Sequence, residues 1–532
     1  MSLPQEIKLL AKEDLYDLLR SRFDSTEKKL SQIPNPSLLH EGERSAKRIA
    51  QAIQKGQKIT LVGDYDVDGV SATAIVVDFF RQIPYPLEAI IPNRFDDGYG
   101  VSPRLLERID ADLIITVDNG ITAIEAAKIC RDRKIDLIIT DHHTPSENLP
   151  DAYSIIDPKL QSCSYPFADI CGAQVAWLLL GLLKKELKLS IDMKQFLDIL
   201  TIAIIADIMP LIDINRSLVK EGLKLLSSST RPSSIIIRDF LNKRVISAED
   251  IAFQIAPRIN SAGRLEDASI ALEFFIAQDT NTAYQQFEIL NQLNEFRKET
   301  EAQATKDAIQ CVDLEDDIIV VAKEGWHEGV VGIVASRLVD YFAKPAIVLS
   351  INKENAKGSA RSIAEVNIYE LLKKSEDLLT KFGGHKMAAG LGCKTSEIQN
   401  LRLALNESAK ALPKESFIPK ETVLGTLASE SIDYELLDLL ESFEPYGESN
   451  PRPTFFIKDA EILTITPLGK DKNHCKILLR QFAHDSQTLE LILFRQLLEM
   501  PKDRKLTCSY TINKNEFNSR ISIQLLINKI YN

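Results

Sequence analysis

Short, continuously apolar runs alternate with helical patterns in the first part of the chain. Runs at residues 58–63, 87–92, 113–117 and 136–140 have the length of strands, and apolar positions at helical spacing occupy 69–80 and 121–131. A strand that is apolar along its whole length is buried on both faces, as in a parallel sheet covered by crossover helices. This part of the sequence therefore predicts a parallel α/β sheet.

The pattern changes twice further along the chain. Helical spacing occupies residues 172–226 and a long, largely polar stretch at 280–310, and a second α/β region begins at the apolar segment 318–321. After residue 421, short β-like runs are separated by Gly, Pro, Asp and Asn, which is typical of a small antiparallel barrel. The predicted fold class is α/β, with two α/β lobes joined by a long helix and a C-terminal β-barrel.

These changes of pattern divide the chain into five predicted segments, and 532 residues are enough for three or four domains of ordinary size. The segments are a helical lead-in (1–45), a first α/β domain (46–230), a helical connector (231–312), a second α/β domain (313–415) and a barrel (420–532). Pro413 and Pro419 bracket the linker that precedes the barrel.

Composition excludes several classes of protein. With 22 Gly and 22 Pro, the chain is neither collagen-like nor disordered. No apolar run approaches the ~18–20 residues of a membrane span, and the N-terminus lacks a basic-then-apolar signal. Seven scattered cysteines without a C-x-x-C motif give no support to a zinc ribbon and favour reduced thiols. We therefore expect a cytoplasmic protein that does not associate with a membrane.

The distribution of charge is more informative than its total. The net charge is −12, from 76 acidic and 64 basic residues, which by itself disfavours a nucleic-acid-binding protein. Residues 451–532 nevertheless hold 13 Lys and Arg against 8 Asp and Glu. The barrel segment therefore carries a basic excess, and the acidic excess lies elsewhere in the chain.

Acidic residues and imidazoles directly follow three of the predicted strands, and these are Asp64, Asp66, Asp68, Asp118, Asp141, His142 and His143. The carboxyl ends of parallel strands meet at one edge, with strands only ~4.8 Å apart, so these groups should converge. Carboxylates that close repel one another unless cations are present. Mixed carboxylate and imidazole ligands suit Mn²⁺, and Mg²⁺ where oxygens dominate. The pattern therefore predicts two divalent metal ions and phosphoryl chemistry.

Structural interpretations stay open for single residues of this set. An Asp after a strand is usually a helix N-cap, which could be the role of Asp118. Asp207 lies in an apolar helical stretch, where a carboxylate is costly to bury unless it is paired or metal-bound. It could be a ligand, a buried cap or a partner of Arg216. A calcium loop at residues 64–75 is disfavoured because Ile75 stands where a Glu is needed.

Taken together, the motifs resemble a known family. Asp141–His143 with Gly63–Gly69 is similar to the signature of the DHH phosphoesterase superfamily, and further motifs extend the similarity to the RecJ family over about residues 40–530. The supporting segments are Asn93–Arg94, Gly98–Gly100, Ala206–Pro210, Pro257–Arg264, Gly325–Arg337, Gly358–Ser362, Phe382–His385, Pro445–Gly447 and Asn450–Pro453. The resemblance implies a metal-dependent exonuclease that degrades single-stranded DNA from 5′ to 3′ in DNA repair and recombination. It also implies DHH and DHHA1 domains with a cleft between them, followed by an OB-fold.

The resemblance implies roles for particular residues. The metal ligands would be Asp64, Asp66, Asp68, Asp118, His142, His143 and Asp207, and Asp141 would complete the catalytic set by orienting an imidazole. The substrate-binding residues would be Arg94, Arg258, Asn260, Arg264, His327, Ser359, Arg361, Ser362, Gly383, Gly384 and His385. The partners would be single-stranded DNA, a RecQ-type helicase and a single-strand-binding protein.

The segment Gly358–Ser362 also has a physical interpretation of its own. Backbone amides, hydroxyls and a guanidinium within five residues suit a phosphate, although a turn with an incidental Arg is an equal alternative. If the phosphate interpretation holds, Arg361 is the best candidate to recognise a terminal 5′-phosphate, because a guanidinium binds such a group through two hydrogen bonds.

Three other functions compete with the exonuclease. The main alternative is a short-oligonucleotide or cyclic-dinucleotide phosphodiesterase of the DHH family, which is expected to lack the C-terminal barrel. A soluble inorganic phosphatase of the superfamily would likewise need only two lobes. A catalytically silent DNA-binding scaffold should have lost some of the motif acids, whereas none of them is missing here.

Overall fold

The structure, a computed structural model, describes residues 7–23, 28–94, 96–417, 422–469, 472–482, 487–494, 496–517 and 520–531. Pro419 and residue 420, where the barrel segment is expected to begin, lie outside these residues. The chain forms two compact units. The N-terminal unit is Phe23–Lys298 with Pro445–Pro451, and the C-terminal unit is Met1–Arg22 with Glu299–Glu444 and Arg452–Asn532.

The first part of the chain is mostly helical around a set of short strands. In order, its elements are β1 (Leu9–Leu10), α1 (Lys12–Arg20), α2 (Gly42–Lys55), β2 (Ile59–Val62), α3 (Val67–Phe80), β3 (Glu88–Ile90), α4 (Pro103–Leu106), β4 (Leu113–Val117), α5 (Ile124–Asp132), β5 (Asp136–Thr140), β6 (Ser154–Ile156), α6 (Gly172–Glu186), α7 (Leu197–Ala206), α8 (Asp213–Leu226), α9 (Pro232–Leu241), α10 (Ala248–Asp250), α11 (Ala256–Leu265), α12 (Ser269–Ile276) and α13 (Thr280–Gln310).

The second part of the chain is richer in strands. Its elements are β7 (Ile319–Glu324), α14 (Val331–Phe342), β8 (Ala346–Asn352), β9 (Asn355–Arg361), α15 (Ile368–Lys373), β10 (Lys381–Gly384), β11 (Ala388–Lys394), α16 (Ile398–Ala409), β12 (Thr426–Leu427), α17 (Tyr434–Ser442), β13 (Thr454–Leu468), β14 (His474–Arg480), β15 (Leu489–Leu493), β16 (Lys505–Phe517) and β17 (Arg520–Tyr531).

A five-stranded parallel sheet forms the centre of the N-terminal unit, in the order β3-β2-β4-β5-β6. Its side chains alternate between two apolar cores: Leu61, Ile115 and Ile138 face the helices α3, α6 and α7, whereas Val62 and Ile114 face α4 and α5. Burial on both faces explains the continuous apolar runs, and the predicted parallel sheet is confirmed.

The helices after the sheet pack onto the same core. Ile237 of α9, Ile259 of α11 and Leu290 of α13 belong to the cluster that contains Leu61 of β2. Residues 231–298 are therefore part of the N-terminal unit, although the pattern predicts a separate connector there. The apolar positions of this stretch are simply the face that it buries against the sheet helices.

The C-terminal unit contains a mixed sheet in the order β10-β11-β9-β8-β7. Only β7 and β8 run parallel, and the other pairs are antiparallel. Helix α14 packs on one face through Val331, Val334 and Leu338, and α15 and α16 pack on the other. This arrangement confirms the second α/β lobe.

A closed five-stranded barrel follows, in the order β13-β14-β15-β17-β16. Its pairs are antiparallel except β15 and β17, which run parallel, so the prediction of a wholly antiparallel barrel is wrong in this one pair. Two of the short apolar runs after residue 421, at 454–457 and 462–465, form the single strand β13, which is irregular between Ile457 and Ala460.

The predicted lead-in is not helical throughout. Strand β1 pairs in parallel with β12, and Lys12 Nζ of α1 lies 2.7 Å from Asp433 Oδ2, so residues up to Arg22 pack with the C-terminal unit. Strand β1 consists of two adjacent leucines, which are too few to show the alternation that predicts a strand. Among the described residues, none of the helices combines the length and the apolar composition needed to span a membrane.

Candidate metal centre

The carboxyl edge of the parallel sheet collects the predicted acids. Asp64 follows β2, Asp118 follows β4 and Asp141 follows β5. The parallel register pairs Thr116 with both Val62 and Ile139, which brings the three strand ends to one level. All three carboxylates are buried.

His142 lies at the centre of this cluster. Its Nε2 is 3.2 Å from Asp118 Oδ1, 3.5 Å from Asp207 Oδ2 and 3.7 Å from Asp68 Oδ2. Three sets of ligand-type atoms lie within 4.8 Å of one another, and they are Asp118–His142–His143, Asp68–His142–Asp207 and Asp64–Asp66–Asp118. Every predicted ligand belongs to at least one of these sets.

The cluster fits divalent cations by the chemistry of its atoms. Asp64 Oδ1, Asp118 Oδ1, Asp207 Oδ2 and His142 Nδ1 are buried and have no hydrogen-bond partner among the described residues. A buried carboxylate oxygen without a partner is costly, and a cation removes that cost. Oxygen and imidazole nitrogen donors of this kind suit Mn²⁺ and Mg²⁺.

The protonation behaviour of the cluster supports the same conclusion. Burial, followed by the charges of neighbouring carboxylates, raises the pKa values of Asp64, Asp118 and Asp207 well above their usual range. Burial lowers the pKa of His142 to about 4, so its imidazole is neutral at pH 7 and can act as a ligand. Without a cation, these positions disfavour the ionised form of the three carboxyl groups, and a bound divalent cation would stabilise that form.

Asp141 is engaged differently from the other acids. Its Oδ1 lies 2.7 Å from His143 Nδ1 and accepts hydrogen bonds from the amides of His142 and His143, and its Oδ2 accepts one from Ile121. Burial opposes the ionised state, but these hydrogen bonds lower the pKa of Asp141. The bond to Nδ1 leaves His143 Nε2 available to a metal, which is the orienting arrangement expected of Asp141.

Two helix N-termini hold the remaining acids. Asp66 is the N-cap of α3, since its Oδ1 accepts from the amides of Asp68 and Gly69. Asp68 accepts from the amides of Gly172 and Ala173 at the start of α6, at 2.6 and 2.9 Å. These contacts fix the positions of both side chains. Burial nevertheless raises the pKa of Asp68, and the hydrogen bond from Ala173 opposes that rise.

Asp118 and Asp207 do not make the contacts that their structural interpretations require. Helix α5 begins at Ile124 with Ala123 as its N-cap, so Asp118 does not cap it. Asp207 ends α7 and faces His142, whereas Arg216 donates to Pro445 O and stacks on Phe23. Both carboxylates therefore belong to the cluster.

Two predicted DNA-binding arginines lie beside the cluster. Arg94 stacks over the ring of Tyr65 at 5.3 Å, and α11 packs against the backbone of Tyr65 at Gly263. Burial raises the pKa of Tyr65 to about 12, and the charges of Arg94 and Arg264 oppose this rise. Asn260 lies one turn before Arg264 on α11, and residues at this spacing share a helix face.

Arg258 makes several contacts with neighbouring helices of the N-terminal unit. Its guanidinium stacks on Phe240 at 4.2 Å, and its Nε donates to Asn291 Oδ1 at 2.9 Å. These contacts use the side chain to join α9, α11 and α13. The predicted grip on DNA by Arg258 therefore has no support in the structure.

The segment Gly358–Ser362 lies on and just after strand β9, so the alternative of a turn with an incidental Arg is wrong. Arg361 Nη1 donates to Ser359 Oγ at 2.7 Å, and within the described residues its guanidinium has no carboxylate partner. The first turn of α14 lies against both side chains, because a Cβ on Gly332 would be 3.1 Å from Arg361 Nη2. A half-buried guanidinium next to a helix N-terminus is an arrangement that suits an anion.

Two other residues predicted to bind substrate, Ser362 and His327, make hydrogen bonds within the C-terminal unit. The hydroxyl of Ser362 is buried and donates to Val366 O at 2.7 Å, so it stabilises the local chain and is a correction to the predicted set. His327 Nδ1 accepts from the amide of Gly329 at 3.0 Å, and the neighbouring Trp326 is a buried core residue.

The glycine-rich hairpin leaves an open surface next to Ser359. Gly383 pairs with Gly390, which pairs with Ser359, and a Cβ at either glycine would meet nothing within 4 Å. Gly384 has a φ of 143° and closes the hairpin, where the amide of His385 donates to Ala388 O at 2.8 Å. The backbone of these two glycines is therefore open to close approach by another group.

Sequence reasoning missed one element at the metal-binding edge. Strand β6 has only three residues, and it is followed by the buried Asp157, level with Asp141 in the register. Tyr99 was noted only as part of a motif, yet its ring contacts Tyr65 and His143 edge-on at 6.1 and 6.3 Å. The available signal was the acid itself, because Asp157 follows a short apolar run in the same way as Asp64, Asp118 and Asp141.

Comparisons with known proteins place this site in a family. Models of the DHH family N-terminal domain, the DHHA1 domain and the RecJ OB domain match residues 58–204, 315–411 and 425–529. The single-stranded-DNA-specific exonuclease RecJ of Haemophilus influenzae is 32% identical over 537 residues, which cover 95% of this chain and 93% of that protein. The chain belongs to the RecJ family.

Other RecJ proteins extend the comparison. The single-stranded-DNA-specific exonuclease RecJ of Bacillus subtilis is 37% identical over 500 residues, which cover 91% of this chain but only 62% of that protein. The crystal structure of RecJ from Thermus thermophilus in complex with Mn²⁺ has a TM-score of 0.79 and 28% identity, and it covers 93% of this chain and 72% of that one. The shared fold therefore extends over most of this chain and includes the barrel, but the chain spans only part of the length of these two relatives.

Proposed function

We propose that this protein is a metal-dependent exonuclease that hydrolyses single-stranded DNA from the 5′ end and acts in DNA repair and recombination. The observation that carries this proposal is the set of buried, unpartnered carboxylates and imidazole nitrogen at one sheet edge. It is joined in one chain to a barrel that matches the RecJ OB domain. The RecJ relatives are named single-stranded-DNA-specific exonucleases, which supports the substrate and the type of reaction proposed here.

The proposed metal ligands are Asp64, Asp66, Asp68, Asp118, His142, His143 and Asp207. Two divalent cations held there would polarise the scissile phosphate, supply a nucleophile from water and neutralise charge on the departing 3′-oxygen. Asp141 fixes the ring orientation of His143, and the N-terminus of α6 fixes Asp68. Arg94 and Arg264, beside Tyr65, are placed to bind backbone phosphates of the strand.

The 5′ polarity requires a group that recognises a strand end. We assign this to Arg361 with Ser359, because the guanidinium lacks a carboxylate partner among the described residues and faces the first turn of α14. A terminal 5′-phosphate carries more negative charge than an internal phosphodiester, and Arg can bind it through two hydrogen bonds. The open glycine surface of Gly383 and Gly390 gives room for the adjoining nucleotide.

The barrel and the cellular setting complete the proposal. The basic excess of residues 451–532 suits an OB-fold that holds single strands by charge and stacking. All seven cysteines are free, which suits the reducing cytoplasm. A RecQ-type helicase and a single-strand-binding protein are the proposed suppliers of single strands.

One assay tests the core of this proposal. Single-stranded oligonucleotides labelled at either end are incubated with the protein and Mn²⁺, Mg²⁺ or EDTA. We expect mononucleotide release from the 5′-labelled strand with either metal, stepwise shortening of the 3′-labelled strand and no product in EDTA. Release of label from the 3′ end first, or equal cleavage of duplex and single strands, would contradict it.

A further inference from the structure

A lysine that the resemblance does not assign lies at the edge of the metal centre. Strand β6 is parallel to β5, and the amide of Asp141 donates to Ile156 O at 3.0 Å, so the chain leaving β6 emerges at the edge that holds the acids. Residues 157–159 follow directly. Asp157 and Pro158 are buried, and Lys159 is exposed.

The direction of this turn is fixed by a side chain. Asp157 Oδ1 accepts a hydrogen bond from the amide of Lys159 at 2.7 Å, and Leu160 N donates to Asp157 O at 3.3 Å. An Asp whose side chain accepts from the amide two residues later stabilises a tight turn. Lys159 is therefore held at a defined point of the edge.

Lys159 lies close to the acids along the sheet edge. Ile156 pairs with Thr140, the residue before Asp141, and Lys159 is only three residues beyond Ile156. In the described part of the chain, Lys159 Nζ makes no hydrogen bond and no ion pair. A cation beside several carboxylates that pairs with none of them is available to an external anion.

We propose that Lys159 binds a nonbridging oxygen of the DNA phosphate next to the metal centre and so positions the strand for hydrolysis. The assignment rests on the proposed exonuclease activity and adds a positioning residue to it. The alternative is a solvated surface lysine without a role in DNA binding.

The experiment compares four proteins loaded with Mn²⁺: wild type, Lys159→Ala, Lys159→Arg and Lys128→Ala. Lys128 is the control, because it is an exposed lysine on α5 without a partner within the described residues. The measurement is kcat/KM on a 5′-phosphorylated single strand over a series of salt concentrations. Mn²⁺ affinity is measured in parallel by titration calorimetry.

We expect Lys159→Ala to lower kcat/KM about tenfold, as the loss of one charged hydrogen bond does. The slope of log kcat/KM against log salt should become shallower by about 0.7, the value for one phosphate contact on a single strand. Lys159→Arg should restore the slope, and Lys128→Ala should match wild type.

An unchanged salt slope in Lys159→Ala overturns the assignment, as does a loss of activity explained by weaker Mn²⁺ binding. A wild-type protein that does not cleave single strands defeats the proposed function instead, so the two failures are distinguishable.

Discussion

At the scale of single residues, Asp118 combines an unusual backbone conformation with a buried charge. Its φ is 62°, in the left-handed region, and its Oδ1 has no hydrogen-bond partner among the described residues. Asn adopts this conformation more readily than most residues, so Asp118→Asn removes the charge without adding backbone strain.

We expect Asp118→Asn to lower hydrolysis by at least ~100-fold, since changes beside a metal site already cost up to about that much. The metal-free protein should be as stable as wild type or more so, because one repelling carboxylate is gone, and the rise in Tm on adding Mn²⁺ should shrink. The measurements are initial rates and Tm with Mn²⁺ or EDTA. Asp132→Asn, an exposed acid on α5, is the control. A variant that still cleaves at the wild-type rate would remove Asp118 from the ligand set.

Arg361→Ala tests the proposed recognition of the strand end. We expect kcat/KM on 5′-phosphorylated strands to fall about 10- to 100-fold, the range for a hydrogen bond to a charged group. Activity on 5′-hydroxyl strands should change little, and Arg361→Lys should recover only part of the preference. Matched 5′-phosphate and 5′-hydroxyl oligonucleotides provide the comparison. A full wild-type preference in Arg361→Ala would direct attention to Arg94 or Arg264.

Asp157 gives a pH-dependent prediction. Burial, with the charge of Asp141, raises its pKa to about 7, against ~3.9 in an unfolded chain. Between these values the folded protein binds a proton that the unfolded chain does not, so stability falls as pH rises from about 4 to about 7 and then levels off.

Asp157→Asn should therefore stabilise the metal-free protein above pH 7, by on the order of 1 kcal/mol, and change little near pH 4. Urea midpoints in EDTA at pH 5 and pH 8 measure the difference. The same gain at both pH values would show that titration of Asp157 is not its cause.

At the scale of elements, the metal centre depends on how closely α6 approaches β4. A Cβ on Gly172, the first residue of α6, would lie 2.5 Å from Asp118 Cβ. The same helix contains Gly181, where a Cβ would meet only Pro36 Cγ at 3.9 Å. The close approach of α6 to Asp118 therefore requires a glycine at position 172, whereas position 181 has room for a larger side chain.

We expect Gly172→Ala to lower activity at least ~10-fold, because the helix or Asp118 must shift and the amides that hold Asp68 shift with it. Gly181→Ala should keep full activity and gain up to ~1 kcal/mol of stability, the difference in helix propensity. Rates and Tm for both variants test the pair. Equal losses in the two variants would indicate general damage to α6.

Elements with a strong local pattern are the ones that the sequence predicts well. Strands β2, β4 and β5 are continuously apolar because both faces are buried, and α13 begins and ends at the predicted residues. Strands β1 and β6 are too short to show a period, so Asp157 at the end of β6 was missed. The strand-end rule alone located Asp64, Asp118 and Asp141.

Side-chain roles that depend on residues distant in the sequence could not be predicted from local patterns. The use of Arg258 depends on Phe240 and on Asn291, 33 residues away. The hydroxyl of Ser362 donates a hydrogen bond to Val366 O, and this bond forms only because the chain turns after β9. Motif position assigned both residues to substrate binding, but it does not reveal which of their atoms are already engaged in contacts within the protein.

At the scale of the whole molecule, the barrel can be removed in two ways. Deleting residues 422–532 also removes β12, the partner of β1, and Pro445–Pro451, which belongs to the N-terminal unit. Deleting residues 454–532 keeps both. The shorter deletion therefore tests the contribution of the barrel to DNA binding. The longer deletion additionally tests the contribution of β12 and Pro445–Pro451 to stability.

We expect the shorter deletion to weaken binding to long single strands, and to flatten the salt dependence of binding, while short oligonucleotides are still cleaved. The longer deletion should in addition lower the Tm. Fluorescence anisotropy with long strands and Tm measurements check these outcomes. Unchanged affinity for long strands after either deletion would mean that the barrel does not contribute to DNA binding.

The segment Pro445–Pro451 has a consequence for synthesis of the protein. Leu211 N donates to Glu448 O, and the loop at Gly447 closes against Leu211, so the N-terminal unit includes residues made roughly 150 positions after Lys298. At a translation rate of about 5–20 residues per second, these residues emerge about 7–30 s later. During synthesis, the N-terminal unit therefore becomes complete only after the second α/β lobe has been translated.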